Sequence, residues 1–275
     1  MSVLGHRLRL NRIIEPTTQT SIILPMDHAI EEPDISELED PRATVDALAE
    51  EGVDAFLMRR GLARFAAQQI GGRAGFVQRL TGRSGLSQDP NDQLVLAGVE
   101  QALRNGADAV VPTFFIGPNT EAKALPLLGQ ISDECAHLGL PLLAEVFPEG
   151  GASAHAYDGP YSVEEMRMAV RIASEEGADL IKTWYTGDPE SMASVVDYSF
   201  APIIIAGGAN IDSVRDIFQG TYDAMQAGCA GVAMGRRIWQ AKDPVAVLRG
   251  LRRIIRDRAT VDEALEGLGL MPVEA

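Results

Sequence analysis

Residues 175–184 of the chain are EEGADLIKTW, in which two acidic residues at the end of a helical stretch precede a glycine and a short apolar segment. Glycine adopts the left-handed conformation that commonly ends a helix without steric cost. The same succession of helix end, glycine and apolar segment occurs four more times, at Gly52, Gly106, Gly139 and Gly228. This repetition predicts a fold in which helices and strands alternate along the chain.

Eight short apolar segments have the character of buried parallel strands, because most of them are continuously apolar rather than alternating. They are residues 21–27, 54–60, 76–82, 107–114, 141–147, 178–184, 202–208 and 229–235. Right-handed crossovers between eight successive parallel strands close into a (β/α)8 TIM barrel, and this is the fold that we predict. A doubly wound open sheet is the alternative, but it usually has fewer strands and a GxGxxG motif after its first strand, which is absent here.

Helical stretches separate the predicted strands. Examples are Pro41–Glu51, Asp92–Asn105, Glu121–His137, Val163–Glu176, Ile211–Ala227 and Pro244–Arg256. No change of composition divides the chain, so we expect one TIM-barrel domain over residues 1–275. The loop-rich regions His28–Asp40 and Pro148–Ser162 follow strands and should lie on the C-terminal face of the barrel. Residues 260–275 should add a short amphipathic helix and a loose end.

The composition is that of an ordinary globular protein, with 46% hydrophobic and 23% charged residues among 275. A formal net charge of −15 argues against nucleic acid or an anionic membrane as a partner. Two cysteines cannot form a disulfide framework, and the histidines have no spacing typical of a metal site. The sequence shows neither a leader peptide nor an apolar segment that could span a membrane, so we expect a cytoplasmic protein without a metal or cofactor.

Lys182 is the most informative residue, because it interrupts an otherwise apolar predicted strand. Desolvation inside a barrel lowers the pKa of a lysine towards the range in which the neutral amine attacks carbonyl groups. This chemistry predicts a Schiff-base enzyme. A lysine that pairs with a carboxylate, or one that extends past the strand end to solvent, is an equally acceptable interpretation of the residue alone.

Asp27 ends the first predicted strand, in LPMDHA, where it can orient the amine or carry a proton during imine formation. The alternative role for Asp27 is that of a helix cap or turn residue. His28 can act as an acid or base beside Asp27, although a single loop histidine is more often structural or exposed.

Glycine-rich turns follow the seventh and eighth predicted strands, in IAGGAN and AMGRR. Barrels often build a phosphate site from these two loops, so we predict that Gly207, Gly208, Gly235 and Arg236 bind a substrate phosphate. Arg59 belongs to a basic patch near the end of the second strand that can receive a second anionic group. A solvated surface or salt bridges between subunits would explain the same patch.

Four motifs together resemble the DhnA-type class I aldolases, a group that includes archaeal-type fructose-bisphosphate aldolases, aminodideoxyheptulosonate synthases and autoinducer-2 phosphate thiolases. They are LPMDHA at 24–29, DLIKTWYTGD at 179–188, IAGGAN at 205–210 and GVAMGRRIWQ at 231–240. The resemblance covers almost the whole chain. It implies a TIM barrel in which Lys182 forms the imine, Asp27 assists it, and Gly207, Gly208, Gly235 and Arg236 hold a phosphate. It also implies a homo-oligomer, in this family often a ring of ten subunits.

The chain departs from the family after the fifth predicted strand. The aldolase branch carries a tyrosine there, in YPRG, whose phenol transfers the proton during carbon–carbon bond cleavage, whereas this chain has FPEG at 147–150. Phe147 cannot transfer a proton, so either Tyr157, Tyr185, His28 or a bound water is the donor, or the reaction is not the ordinary aldol cleavage. Asn210 replaces the lysine of the family's GGPK motif, and this loss of charge is compatible with a less anionic substrate.

The leading functional hypothesis is a Schiff-base lyase that makes or breaks a carbon–carbon bond in a small phosphorylated keto sugar or hydroxyketone. The second hypothesis is acyl or ketol transfer, as in the thiolase branch, which keeps the lysine and lacks the aldolase tyrosine. The third is a barrel that binds a sugar phosphate without catalysis, since a fold does not dictate a function.

Overall fold

Parallel strands form the centre of the protein in a computed structural model that describes residues 3–32, 35–89, 91, 93–149, 162–207 and 213–269. The strands are β1 Ser21–Pro25, β2 Ala55–Met58, β3 Gly75–Arg79, β4 Thr81–Gly82, β5 Leu94–Val95, β6 Ala109–Val111, β7 Thr113–Ile116, β8 Leu143–Pro148, β9 Leu180–Trp184, β10 Ile203–Ala206 and β11 Gly231–Ala233.

Nine of these strands pair in the order β6-β3-β2-β1-β11-β10-β9-β8-β7, and every pair is parallel. β6 and β7, at the two ends of this order, are successive parts of one segment that is interrupted at Pro112. A further parallel bridge joins Val110 to Leu142, just before β8. The sheet therefore closes on itself, and the predicted TIM barrel is confirmed, with the fourth predicted strand divided in two.

Helices connect the strands along the outside of the barrel. They are α1 Val3–Ile13, α2 Arg42–Glu51, α3 Arg60–Phe65, α4 Ala67–Ile70, α5 Val99–Arg104, α6 Glu121–Leu138, α7 Val163–Glu175, α8 Pro189–Val196, α9 Val214–Gln226, α10 Arg236–Trp239, α11 Pro244–Asp257 and α12 Val261–Glu266, with short 3-10 helices at His28–Ile30 and Ser36–Leu38. Capping boxes start α7 and α9, in which Ser162 and Ser213 accept a hydrogen bond from the third helical residue. None of the helices among the described residues has the length and apolar character needed to cross a membrane.

The five glycines predicted to end helices all have positive φ, between 65° and 92°. At Gly52 and Gly139 the left-handed residue directly follows α2 and α6 and turns the chain towards the next strand. The alternation of helix and strand that these glycines predicted is confirmed.

Two features differ from the sequence-based expectation. Residues 94–95 pair antiparallel with 81–82, so the helix predicted from Asp92 begins only at Val99. The N-terminal helix α1, which the apolar pattern did not indicate, packs against the N-terminal ends of β1, β3 and β6. Ile13 at its end is fully buried, and Ser21 donates a 2.5 Å hydrogen bond to the Ile13 carbonyl oxygen.

The barrel interior changes from apolar to polar along its axis. Near the N-terminal end the inward-facing residues form an apolar cluster that includes Val77, Val111, Leu143 and Leu180. Since side chains alternate between the two faces of a strand, the next inward residues lie two positions later. They are Arg79, Thr113, Glu145 and Lys182, all of which are buried. The polar layer therefore lies towards the C-terminal face, where barrel enzymes hold their active sites.

Candidate active site

Lys182 lies inside the barrel at the centre of the polar layer. Strand pairing places Thr113 opposite Glu145 and Glu145 opposite Lys182, so β7, β8 and β9 each contribute one inward side chain at the same height. The Lys182 side chain is 8% exposed, and its Nζ donates a hydrogen bond to Glu145 Oε1. The interpretation of Lys182 as a lysine paired with a carboxylate is therefore correct for this structure, and the residue does not extend to solvent.

Arg79 links the buried acidic residues to one another. Its Nε donates a 2.5 Å hydrogen bond to Asp27 Oδ2, and its Nη1 donates to Glu145 Oε2 and to Thr113 Oγ1. The Thr113 hydroxyl in turn donates to Glu145 Oε2 at 2.6 Å. Two carboxylates and two cations thus form one buried network, which is hereafter called the charge cluster: Asp27, Arg79, Glu145 and Lys182.

The charges of the cluster control the pKa values of its acids. Burial alone would raise the pKa of Glu145, but Arg79 and Lys182 outweigh burial and hold this pKa far below its ordinary value. Burial likewise opposes the ionisation of Asp27, but the charge of Arg79 above all, with that of Lys182 in the same direction, lowers the pKa of that carboxyl. Both acids are therefore carboxylates near neutral pH.

A cavity of about 140 Å³ adjoins the charge cluster. Its walls are formed by the cluster together with His28, Glu31, Arg59, Thr81, Gln93 and Thr113. Arg59 reaches this wall from the end of β2, where its Nη1 donates to the Thr81 carbonyl oxygen at 3.1 Å. Burial is the main cause that lowers the pKa of Arg59. The Arg59 Nε is buried and has no hydrogen-bond partner among the described residues.

His28 lies beside Asp27, as the sequence indicated, but does not share a short hydrogen bond with it. The distance between His28 Nδ1 and Asp27 Oδ1 is 3.9 Å, and the His28 ring packs edge-on against Trp239. Burial lowers the pKa of His28 to about 4, although the Asp27 charge acts in the opposite direction. His28 is therefore a neutral imidazole near neutral pH.

Only part of the predicted phosphate site lies within the described residues, since Gly208 falls outside them. Gly207 packs closely on Met234 and Arg237, and Gly235 precedes α10 with Pro25 and His28 against it. A Cβ at Gly235 would lie 2.3 Å from the Pro25 carbonyl oxygen.

Arg236, the predicted cation of the phosphate site, donates a hydrogen bond to Glu32 Oε1 at 2.5 Å. Neither Gly207, Gly235 nor Arg236 belongs to the wall of the 140 Å³ cavity. The assignment of a phosphate to these residues stays a prediction.

Glu145 and Arg79 are the residues that the sequence analysis missed. Each is a charged residue inside an apolar strand, in LLAEVF at 142–147 and FVQRL at 76–80. Like Lys182, each of them places a charge inside a predicted strand. Their inward orientation follows from the spacing of two residues to Leu143 and Val77, so the signal was present in the sequence.

Aromatic side chains lie next to the charge cluster, two residues further along the strands. Phe147 stacks on Trp184 with ring centroids 4.1 Å apart, and Phe115 packs against Phe147 at 5.8 Å. Of the two tyrosines considered as proton donors, Tyr157 lies outside the described residues, and Tyr185 is not part of the cavity wall.

A larger cavity, of about 890 Å³, lies around the N-terminal ends of β2, β3 and β6. Its walls include Gly52–Asp54, Arg64, Gly71–Phe76 and the Arg12–Asp108 ion pair, and none of its lining residues belongs to the charge cluster. Residues at this end of a barrel generally contribute to stability rather than to catalysis. The smaller cavity beside Lys182 is therefore the candidate active site.

A closed parallel barrel with a buried lysine beside a polar cavity at the C-terminal side defines the class of Schiff-base barrel enzymes. Comparison with known proteins agrees with this class: residues 21–241 match the model of the DeoC/LacD family aldolase. The chain belongs to this family and is a lyase of the class I aldolase type. The resemblance drawn from the four sequence motifs is thus confirmed.

Several relatives are similar over almost their whole length. The chain is 36% identical to the 2-amino-3,7-dideoxy-D-threo-hept-6-ulosonate synthase of Halobacterium salinarum, over 98% of this chain and 99% of that protein. A protein of the same name from Archaeoglobus fulgidus is 34% identical over 98% of both chains. The 2-amino-4,5-dihydroxy-6-oxo-7-(phosphonooxy)heptanoate synthase of Streptomyces griseus is 31% identical over 93% of this chain and 92% of that protein.

A solved structure supports the same relationship. An archaeal fructose-1,6-bisphosphate aldolase, captured with its catalytic lysine covalently bound to the carbinolamine intermediate of the substrate, is 27% identical and has a TM-score of 0.78. The match covers 91% of this chain and 99% of that one.

Proposed function

We propose that the chain is an aldolase that uses Lys182 to form an imine with a small phosphorylated hydroxyketone. The observation that carries the proposal is the position of Lys182: its Nζ is buried, contacts Glu145 and adjoins the 140 Å³ cavity. The hydrogen bond to Glu145 orients the Lys182 amine, and the cavity gives a carbonyl group access to it.

The reaction needs only the lysine and proton transfers. The neutral amine attacks the ketone carbon, the carbonyl electron pair moves to oxygen, and the protonated hydroxyl leaves as water to give an iminium ion. A base then removes the proton of the hydroxyl on the β carbon, and the bond between the α and β carbons breaks. Its electron pair moves to the iminium nitrogen, so an aldehyde leaves and an enamine remains. Protonation of the enamine carbon and hydrolysis release the ketone and the free lysine.

The names of the relatives suggest the substrate. Both kinds of product carry a ketone at carbon 6 and a seven-carbon acid chain with an amino group at carbon 2. An aldol bond between carbons 4 and 5 divides either molecule into a three-carbon ketone and 2-amino-4-oxobutanoate. The ketone would be dihydroxyacetone phosphate for the phosphorylated compound and hydroxyacetone for the 7-deoxy compound. We infer that this chain condenses such a ketone with a small amino-acid aldehyde.

The charges around the cavity suit such an aldehyde. Arg59 lines the cavity, and its guanidinium can bind the carboxylate of 2-amino-4-oxobutanoate. Glu31, in the same wall, can bind the ammonium group. For the opposite end of the substrate we propose a phosphate site formed by Gly207, Gly208, Gly235 and Arg236, with Asp27 and His28 orienting groups near Lys182.

Borohydride trapping tests the proposed function. The protein is incubated with dihydroxyacetone phosphate or hydroxyacetone, reduced with sodium borohydride and digested, and the peptides are analysed by mass spectrometry. We expect a stable adduct on Lys182 and none on the Lys182→Met variant. Comparing the two ketones shows whether the phosphate is needed. Absence of an adduct with every ketone, or unchanged turnover of Lys182→Met, would contradict the proposal.

Acyl or ketol transfer is the second candidate, because Phe147 occupies the position of the aldolase tyrosine. The two reactions differ in their acceptors. With 2-amino-4-oxobutanoate and dihydroxyacetone phosphate, an aldolase gives the seven-carbon product, whereas a transferase requires an acyl or ketol donor and transfers its group to a thiol or aldehyde. Binding of the ketone without any adduct would instead favour a barrel that binds sugar phosphates without catalysis.

We also propose that the chain forms one domain, acts in the cytoplasm and assembles as a homo-oligomeric ring, for which the family resemblance suggests ten subunits. The family resemblance supports the ring. Native mass spectrometry would give its subunit number, and a monomer at micromolar concentration would contradict it.

A further inference from the structure

We propose that Glu145 is the acid–base catalyst that serves Lys182 during imine formation and hydrolysis. This inference rests on the proposed function, because it assigns a second residue to the same reaction. Glu145 meets the geometric requirement for such a role, since a proton donor or acceptor must lie within hydrogen-bond reach of the atom it serves.

The two carboxylate oxygens of Glu145 have separate partners. Oε1 accepts the hydrogen bond from Lys182 Nζ, while Oε2 accepts from Arg79 and from the Thr113 hydroxyl. Arg79 and Thr113 therefore hold the carboxylate in place, and Oε1 remains directed at the reacting nitrogen. Pairing of β8 with β9 fixes the same arrangement through the backbone.

Compared with its neighbours, Glu145 is the group best placed to exchange protons with Lys182. Asp27 Oδ2 accepts from Arg79 Nε, and no hydrogen bond joins Asp27 to Lys182 among the described residues. Phe147 follows Glu145 by two residues on the same face of β8 and stacks on Trp184, so it offers an apolar ring where the resemblance expects a phenol. On this strand the ionisable side chain is Glu145, two residues before the position at which the family resemblance expects a tyrosine.

Protons balance when Glu145 acts in this way. Oε1 takes one proton from the Lys182 ammonium group, which leaves a neutral amine that attacks the ketone carbon. The protonated Glu145 gives this proton to the oxygen that receives the carbonyl electron pair. It then takes a second proton from the nitrogen of the carbinolamine and gives it to the hydroxyl, which leaves as water. The iminium ion keeps the third lysine proton, and Glu145 is again a carboxylate.

Charge coupling makes the first proton transfer feasible despite the acidity of Glu145. Lys182 is one of the two cations that lower the pKa of Glu145. When the proton moves from Lys182 to Glu145, the lysine loses its charge and this cause disappears. The transfer therefore removes one of the two causes that disfavour a proton on Glu145. Arg79 remains between Asp27 and Glu145 throughout and keeps the site from losing all of its positive charge.

Rapid-quench trapping measures this step separately from bond cleavage. Enzyme in excess over dihydroxyacetone phosphate is quenched with sodium borohydride at successive times, and intact-protein mass spectrometry gives the rate at which the Lys182 adduct forms. We expect Glu145→Gln to form the same adduct at least about 100-fold more slowly, which is the usual loss when a general acid–base catalyst is removed. Glu145→Asp, which keeps the buried negative charge, should have a rate between those of the wild type and Glu145→Gln.

Asp108→Asn is the matched control. Asp108 is another buried carboxylate with an arginine partner, but it pairs with Arg12 at the opposite end of the barrel. We expect its adduct rate to stay within about threefold of the wild type. The role of Glu145, but not the proposed function, would be overturned if both Glu145 variants formed the adduct at the wild-type rate. It would also be overturned if Asp27→Asn slowed adduct formation and Glu145→Gln did not. No adduct in the wild type would instead overturn the proposed function and this role together.

Discussion

Arg79 compensates the negative charges of the two buried acids in the site. It contacts both Asp27 and Glu145, and all three side chains are at most 8% exposed. Burying an ion costs several kcal/mol unless its charge is compensated by partners. With Lys182 included, the cluster contains two acids and two cations and is neutral, which explains how four ionisable side chains can occupy the interior of one barrel.

Replacing Arg79 with Met should therefore destabilise the fold by about 3–5 kcal/mol, because two buried carboxylates would share a single cation. Urea unfolding at pH 7 measures this change. Arg42→Met is the control: Arg42 pairs with Asp40, and both side chains are at least half exposed. Such exposed pairs contribute about 1 kcal/mol or less. If the free energy of unfolding falls by similar amounts in the two variants, the charge cluster stabilises the fold no more than an exposed ion pair does.

His28 should make stability depend on pH between about 4 and 6.5. Burial lowers its pKa in the folded protein to about 4, whereas the unfolded chain has the ordinary value of 6.5. The unfolded state therefore binds more protons in this range, and the free energy of unfolding falls as the pH falls. The contribution of His28, at most about 3 kcal/mol, is complete above pH 6.5 and lost near pH 4.

The comparison with His28→Asn isolates this contribution, since all other groups titrate in both proteins. Urea unfolding at pH 7, 5.5 and 4 should show that the wild type loses more stability than the variant on acidification. Parallel losses in the two proteins would contradict a neutral imidazole at His28 in the folded protein.

At the scale of elements, the sequence predicted the strands well because each one is a local signal. Buried parallel strands are apolar throughout, and the glycines at helix ends mark where five of them begin. The split at Pro112 and the β4–β5 hairpin were not predicted, because each depends on which distant segment pairs with the backbone. Helix α1 was missed for a related reason: its burial depends on the open end of the barrel, which exists only after the strands have closed.

The candidate site was predictable in part for the same reason. Asp27 and Arg59 follow the ends of β1 and β2, and Lys182 interrupts the apolar β9, so all three could be found from local sequence. Contact between Lys182 and Glu145 requires the pairing of β8 with β9, which no local pattern gives. The alternation of inward residues, Leu143 with Glu145 and Leu180 with Lys182, would have placed both side chains inside the barrel but not against each other.

The turn between β11 and α10 should be intolerant of any side chain. A Cβ at Gly235 would lie 2.3 Å from the Pro25 carbonyl oxygen, which also accepts a 2.9 Å hydrogen bond from Trp239 Nε1. Gly235→Ala must therefore shift the start of α10, at a cost of about 1–3 kcal/mol. Because we place a substrate phosphate here, we also expect the dihydroxyacetone phosphate concentration that gives half-maximal trapping to rise at least about fivefold.

Gly61→Ala is the matched control for this turn, since a Cβ at Gly61, within α3, meets nothing within 4 Å. Thermal unfolding and trapping are measured on both variants. If Gly235→Ala changes the melting temperature but not the concentration for half-maximal trapping, the steric prediction holds and the phosphate site at this turn is contradicted.

Apolar packing and the candidate active site lie at different heights along the barrel axis. The N-terminal end is closed by α1 and filled by an apolar cluster that includes Ile13, Ile23 and Leu57. The charge cluster lies further along the strands, and the 140 Å³ cavity opens beside it. Packed interiors respond locally to the loss of a methyl or methylene group, because neighbouring atoms relax only partly.

Changes at the closed end should therefore alter stability without altering the reaction. Ile13→Ala removes a fully buried side chain and should lower the free energy of unfolding by about 2–5 kcal/mol. The rate of adduct formation on Lys182, measured well below the melting temperature, should stay within about twofold of the wild type. Leu8→Ala, on the same helix but with a side chain that is 53% exposed, should change neither quantity appreciably. A tenfold slower adduct in Ile13→Ala would show that packing at the closed end controls the position of Lys182, and the two ends of the barrel would then be coupled.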